Sequence, residues 1–133
     1  MKEGGTVVIN NKYGYDISKW NATKEAMRCV LQWTAKKEET IPYAKLVGQV
    51  EPIRFQAHDP IFWHMLGEIS REEDAYNRGM LTAVVVHQSG DQMPGGDFFE
   101  LADQLRRDTS DRVKCWTDEV KKVHTYWSEH TLP

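Results

Sequence analysis

The sequence has no long apolar run. Its longest unbroken stretch is the four residues 83–86, Ala-Val-Val-Val, against the roughly 20 needed to cross a bilayer. The N-terminus is equally poor, with only Val7, Val8 and Ile9 behind Met-Lys-Glu-Gly-Gly-Thr. That is too short an apolar block for a secretory signal, so the expected compartment is the cytoplasm. Cysteine is scarce: Cys29 and Cys115 stand alone in helical patterns, without CxxC spacing, and are expected to be reduced, buried thiols. An excess of basic charge is also missing, since 17 basic residues face 20 acidic ones for a net charge of −3. The chain therefore lacks the strong counterion-release drive of a typical nucleic-acid binder. Nor does it contain HExxH, an EF-hand loop, GxSxG, GxxxxGK[ST] or GxGxxG, so no metal and no cofactor is called for.

What is present suffices for one domain. Leu, Ile, Val and Phe make up 28 of the 133 residues, and aromatic residues contribute 11%, large burial areas that favour a packed core. At this length about two thirds of the unfolded surface can be buried without a disulfide or a metal. Residues 1–16 carry glycine and asparagine around a β-type run at 6–9, which reads as a mobile end or an edge strand.

Helical periodicity dominates the rest. Met27, Val30, Leu31 and Thr34 recur at helical spacing with lysines in the last turn, predicting a helix over 21–38 capped by Asn21. Thr40 and Pro42 open a short helix ended by Gly48, and 50–56 alternates as an edge strand limited by Pro52. Asp59-Pro60 is a cap followed by an N1 proline, leading into Ile61, Phe62, Met65, Leu66 and Ile69. Ser70-Arg71-Glu72-Glu73 has the capping-box pattern, which predicts a bend and a second helical piece to Gly79. Residues 81–87, with three consecutive valines, read as a strand covered on both faces. A turn-prone stretch over 88–96 precedes a helix capped by Asp97 that contains Phe98, Phe99, Leu101, Ala102 and Leu105. Asp108, Thr109 or Ser110 caps a last helix over 110–129, in which Val113, Trp116, Val120, Val123 and Trp127 follow a heptad spacing. That seam packs inside the domain or, through Trp116, Val120, Val123 and Trp127, joins two copies.

Candidate chemistry is dispersed. His64 and Glu68 have the i,i+4 spacing of helical metal ligands, with His58-Asp59 just upstream, but a solvated pair and a helix cap account for them. His87 ends the valine-rich segment beside a glycine-bearing turn, where a rigid support presents a loop group for acid–base work. Asp91 and Asp97 are its sequence-near carboxylates. Pro94-Gly95-Gly96-Asp97 precedes a helix N-terminus, but the Asp97 charge opposes an anion there. Trp63 lies off the core face of its helix and is expected, with Trp20 and Tyr126, to border a groove. Arg71, Arg78, Arg106, Arg107 and Arg112 supply a basic surface only if the fold gathers them.

The order of three helices, then strand, turn and a returning strand over roughly 21–99 resembles winged-helix modules. The segment Thr40-Ile41-Pro42-Tyr43-Ala44-Lys45-Leu46 looks like the opening of the second helix in alkyltransferase-like winged-helix proteins. Their Pro-Cys-His-Arg active-site stretch is absent, so the resemblance implies no catalytic residue, and the wing it implies, 88–92, holds no Lys or Arg.

The fold expected is therefore α+β, mostly helical, with a small sheet around 81–87 and a long C-terminal helix. The expected function is a non-enzymatic interaction module contacting a protein or, weakly, nucleic acid through Arg71, Arg78, Arg106, Arg107, Arg112 and Trp63. The alternative is a small hydrolase or metal-dependent enzyme using His58, His64 and His87. Convergence of those histidines on one cleft favours chemistry, and a contiguous basic face favours nucleic acid.

Overall fold

A computed structural model describes residues 11–130 and 132. A hairpin of β1 (Asn11–Lys12) and β2 (Tyr15–Asp16) leads into α1 (Ile17–Lys36), followed by β3 (Ile41–Pro42), α2 (Tyr43–Gly48) and α3 (Pro60–Ala75). A 3-10 turn (Leu81–Val84), β4 (Val85–Val86), α4 (Gly96–Gln104) and α5 (Arg112–Ser128) complete the chain. The architecture is α+β, mostly helical, with two short strand pairs and a long C-terminal helix. No helix among the described residues is long and apolar enough to cross a membrane. The edge strand expected at 6–9 lies outside the described residues.

Helix α1 starts four residues earlier than expected, because Asp16 rather than Asn21 caps it and accepts from Ser18 N–H at 2.8 Å. Trp20, Met27, Leu31 and Ala35 are buried along one stripe of α1, and burying a side chain the size of Met27 or Leu31 contributes about 1.5–3 kcal/mol of transfer free energy. The alternation over 50–56 is real in burial, since Ile53 and Phe55 are covered while Arg54 and Gln56 are exposed. No strand forms there: the Ile53 N–H donates to Thr23 Oγ1 of α1 at 3.0 Å. Helix α3 opens as expected on Asp59, whose carboxylate accepts from Ile61 N–H, with Pro60 in the first turn.

The bend expected at Ser70 is absent, and α3 runs unbroken through it. The capping-box residues are spent on tertiary bonds instead. Ser70 Oγ pairs with Thr82 Oγ1 and accepts from Thr82 N–H, while Glu73 is fully buried between Arg28 of α1 and Arg78.

The valine-rich segment is the main departure from the sequence reading. Residues 81–86 are all buried, yet only Val85 and Val86 pair, in parallel, with Ile41 and Pro42. The 3-10 turn packs against α1, α3 and α5, and among the described residues no strand pairs with it. A buried backbone without a ladder must find other partners. The Ala83 N–H turns back to Met80 C=O at 2.9 Å, Met80 N–H donates to Glu119 Oε2 at 2.7 Å, and Trp116 Nε1–H donates to Ala83 C=O at 2.8 Å. Gly79, at φ +89°, delivers the chain to this site; a Cβ there would lie 3.1 Å from Val123 and 3.3 Å from Glu119.

Two caps shift at the C-terminal end. Gly95 caps α4, with Asp97 in its first turn, and Asp111 caps α5, accepting from Lys114 N–H. On α5 the buried stripe is Cys115, Glu119, Val123 and Trp127, whereas Val113 is 58% exposed. Drawing Glu119 inward rotates the first half of the helix away from the expected seam. Val123 and Trp127 are thus covered within one chain, and Trp116 and Val120 are half-buried. Of the two thiols Cys115 is buried as expected, but Cys29 is exposed on α1.

Alternating charges tie α1 to α3. Lys12 and Lys24 meet Glu68, Lys24 and Arg28 meet Glu72, and Arg28 meets Glu73. Burial pushes the Glu68 and Glu72 carboxyls upward. Hydrogen bonds from Lys12, Trp20 and Lys24 to Glu68, and from Lys24 and Arg28 to Glu72, outweigh it and hold both below the ordinary value of 4.5. A carboxyl depressed in the folded state adds stability above its unfolded value and loses it as pH falls toward the folded one. We expect the urea midpoint to be flat from pH 7 to about 5 and to drop below pH 4.5, with Glu68→Gln flattening the acid limb. An acid limb unchanged in that variant would contradict this assignment.

Candidate functional site

Helices α3 and α4 run side by side in the same sense. At their starts, Tyr43 connects them: its ring lies 6.3 Å from that of Phe62, and its hydroxyl accepts from Gly95 N–H at 2.9 Å. At their ends, Arg71 Nη2 donates to Gln104 Oε1 at 2.9 Å. Between these two ties lies a cavity of about 780 Å3, within the size range of ligand sites. Leu66, Phe98 and Leu101 form its apolar floor, all at least nine-tenths buried. The i,i+4 logic of α3 puts Pro60, His64, Gly67 and Arg71 along one rim, and that of α4 puts Asp97, Glu100 and Gln104 along the other.

Several of the residues singled out from the sequence meet here, but neither Trp20, which is fully buried in the core, nor Tyr126, which stacks on Trp127, lines the groove. His58, His64, His87, Trp63 and Arg71 all line the groove. Trp63, 37% exposed, donates its indole N–H to Ala57 C=O at 3.1 Å, which pins the loop carrying His58. His64 stacks on Tyr13 of the hairpin with ring centres 4.9 Å apart. His87 leaves β4 next to Tyr43, at 5.3 Å between ring centres, and its backbone N–H closes the turn onto Met93 C=O. Asp91 does not orient His87, because its carboxylate accepts from Met93 N–H; Asp97 shares the groove wall with it.

The remaining arginines do not line this groove. Arg78 is held by Glu73 and lies over the Tyr76 and Trp127 rings. Arg107 is held by Glu119 and Asp74, and those hydrogen bonds, Glu119 first, raise its guanidinium pKa further against the opposing effect of burial. Arg112 covers Phe99 at 4.8 Å, and exposed Arg106 occupies the left-handed turn after α4.

Metal chemistry has little to use. Glu68, the i,i+4 partner of His64, accepts instead from Trp20, Lys24 and Lys12, and among the described residues no group of three His, Cys, Asp or Glu is placed to hold an ion. Burial pushes the Cys115 thiol up, away from thiolate reactivity, and Glu119 adds to the effect. Burial likewise raises the Tyr43 phenol against the bond from Gly95, with Asp97 acting in the same direction. Tyr43 is therefore a neutral hydrogen-bonding group at physiological pH.

Tyr43, Glu100 and Gln104 are site residues that sequence reasoning did not single out. The 3 and 4 spacing of Asp97, Glu100 and Gln104 was a signal for a polar rim opposite the Phe98, Leu101 and Ala102 face. No family model, no curated protein and no solved structure matches this chain.

Proposed function

We propose that the chain is a small interaction module whose α3–α4 groove receives a segment of a partner protein. The observation that carries this reading is the groove itself: an apolar floor of Leu66, Phe98 and Leu101 between two polar rims, with Trp63 exposed at its edge. Exposed aromatic residues beside an apolar depression are common anchors in protein recognition. A protein partner is favoured over nucleic acid because Arg78 and Arg107 are already matched with carboxylates, and a duplex or single strand needs unpaired cations along its backbone.

The reading is tested by adding a fragment panel to isotopically labelled protein. The indole N–H signal of Trp63 and the amides of α3 and α4 should shift, whereas that of buried Trp20 should not. Trp63→Ala should weaken fragment binding at least tenfold with a melting temperature within a few degrees of the parent. Fragment shifts confined to other surfaces, or none at all, would overturn it.

A second reading draws on the convergence of His58, His64 and His87 on one groove with Asp97 and Glu100 on its wall. Positioned imidazoles serve general acid–base hydrolysis. It predicts turnover of activated esters that is lost in His87→Ala and retained in Cys29→Ser. Ester turnover no faster than that caused by free imidazole at the same concentration would remove it.

A further inference from the structure

The head of Arg71 is held in the groove in a way that suggests what the groove takes. Gly67, one turn earlier on α3, has no side chain, and a Cβ there would meet Arg71 Nη1 at 3.3 Å. The guanidinium therefore folds back over Gly67, and Gln104 fixes its orientation from the opposite rim. Arg28, Arg54, Arg78 and Arg107 are each matched with a carboxylate. The bonded partner of Arg71 is the neutral amide of Gln104, and among the described residues no carboxylate lies within ion-pair distance of it. A fixed guanidinium with donors to spare suits the planar fork of a carboxylate.

The other rim has the opposite charge. Asp97 and Glu100 line the groove, and among the described residues no side chain forms a hydrogen bond or ion pair with either. Along α4, at 1.5 Å per residue, Asp97 lies about 10 Å and Glu100 about 6 Å from the Gln104 level where Arg71 sits. An extended peptide advances roughly 3.3 Å per residue, so these distances correspond to about three and two residues. The apolar floor lies between the two charges.

Building on the partner-segment reading above, we propose that the groove binds the C-terminal tail of a partner protein in extended form. The terminal carboxylate sits on Arg71, an apolar side chain rests on Leu66 and Leu101, and a Lys or Arg two or three residues before the end faces Glu100 and Asp97. Arg71 is then the anchor that distinguishes a chain end from an internal segment, and the two carboxylates select the basic residue.

The test uses a library of N-acetylated hexapeptides varied at the last four positions, made once with free C-terminal carboxylates and once with amides, screened against the full chain. The best binder is then measured by fluorescence anisotropy. We expect free-acid binders enriched in Lys or Arg two or three residues before the end, with amidation weakening them at least tenfold. Arg71→Gln should bring acid and amide to the same weak affinity, and Asp97→Asn with Glu100→Gln should remove the basic preference while leaving the carboxylate effect intact. Acid and amide peptides that bind equally, while shifting Trp63, would overturn the anchor and leave the groove reading standing. No binding from either library, with fragments still shifting Trp63, would also overturn the proposal; with Trp63 unmoved by fragments as well, both readings fall.

Discussion

The structure depends on burying six consecutive residues, 81–86, of which only Val85 and Val86 belong to a sheet among the described residues. A peptide backbone in an apolar interior must have its N–H and C=O groups paired, and each unpaired buried group costs about 1–3 kcal/mol. Here a two-residue parallel strand pair serves only the end of the segment. Ahead of it, α3 supplies the Ser70 hydroxyl to Thr82 and α5 the Trp116 indole to Ala83, while the Glu119 carboxylate of α5 takes the N–H of Met80, just before the segment. Those polar side chains substitute for neighbouring strands, and they fix the positions of both helices relative to the segment.

The surrounding charges follow from that arrangement. Glu119 has one oxygen on the Met80 N–H, so its remaining capacity is filled by Arg107, which also reaches Asp74 at the end of α3. Glu73, buried a turn beyond Ser70, is matched by Arg28 and Arg78. Removing one partner from such a site leaves an uncompensated buried charge, which is far more costly than the pair is stabilising. With α3 held from α1, from the loop before the 3-10 turn and from α5, its outer face is rigid and free to form one wall of the groove. The same buried segment ends at Val86 and so places His87 against Tyr43 at the groove's end.

How much of this was legible in the sequence varies with the range of the forces involved. The α3 start at Asp59-Pro60, the helical stripe of Met27 and Leu31, and the polar exit of Trp63 are local, and the chain shows them directly. Residues that make local caps in isolation were misleading where a distant partner outbid the cap: Ser70 bonds Thr82, and Glu73 bonds Arg28 and Arg78. The run of valines signalled burial correctly but not conformation, because strand or 3-10 turn is decided by whether another strand lies alongside. Glu119 reads as a solvated residue between apolar seam positions, and only Met80 and Arg107 explain its place inside. The histidines stood out by type, yet their meeting in one groove depends on α3 and α4 lying parallel, which no local spacing encodes.

Amide hydrogen exchange over residues 80–85 tests the buried segment most directly. If side chains of α3 and α5 stand in for a sheet, the Met80, Thr82, Ala83 and Val85 amides exchange only with global unfolding, as slowly as the centre of α1. Exchange of these amides at the rate of the open turn over 88–92 would contradict the account.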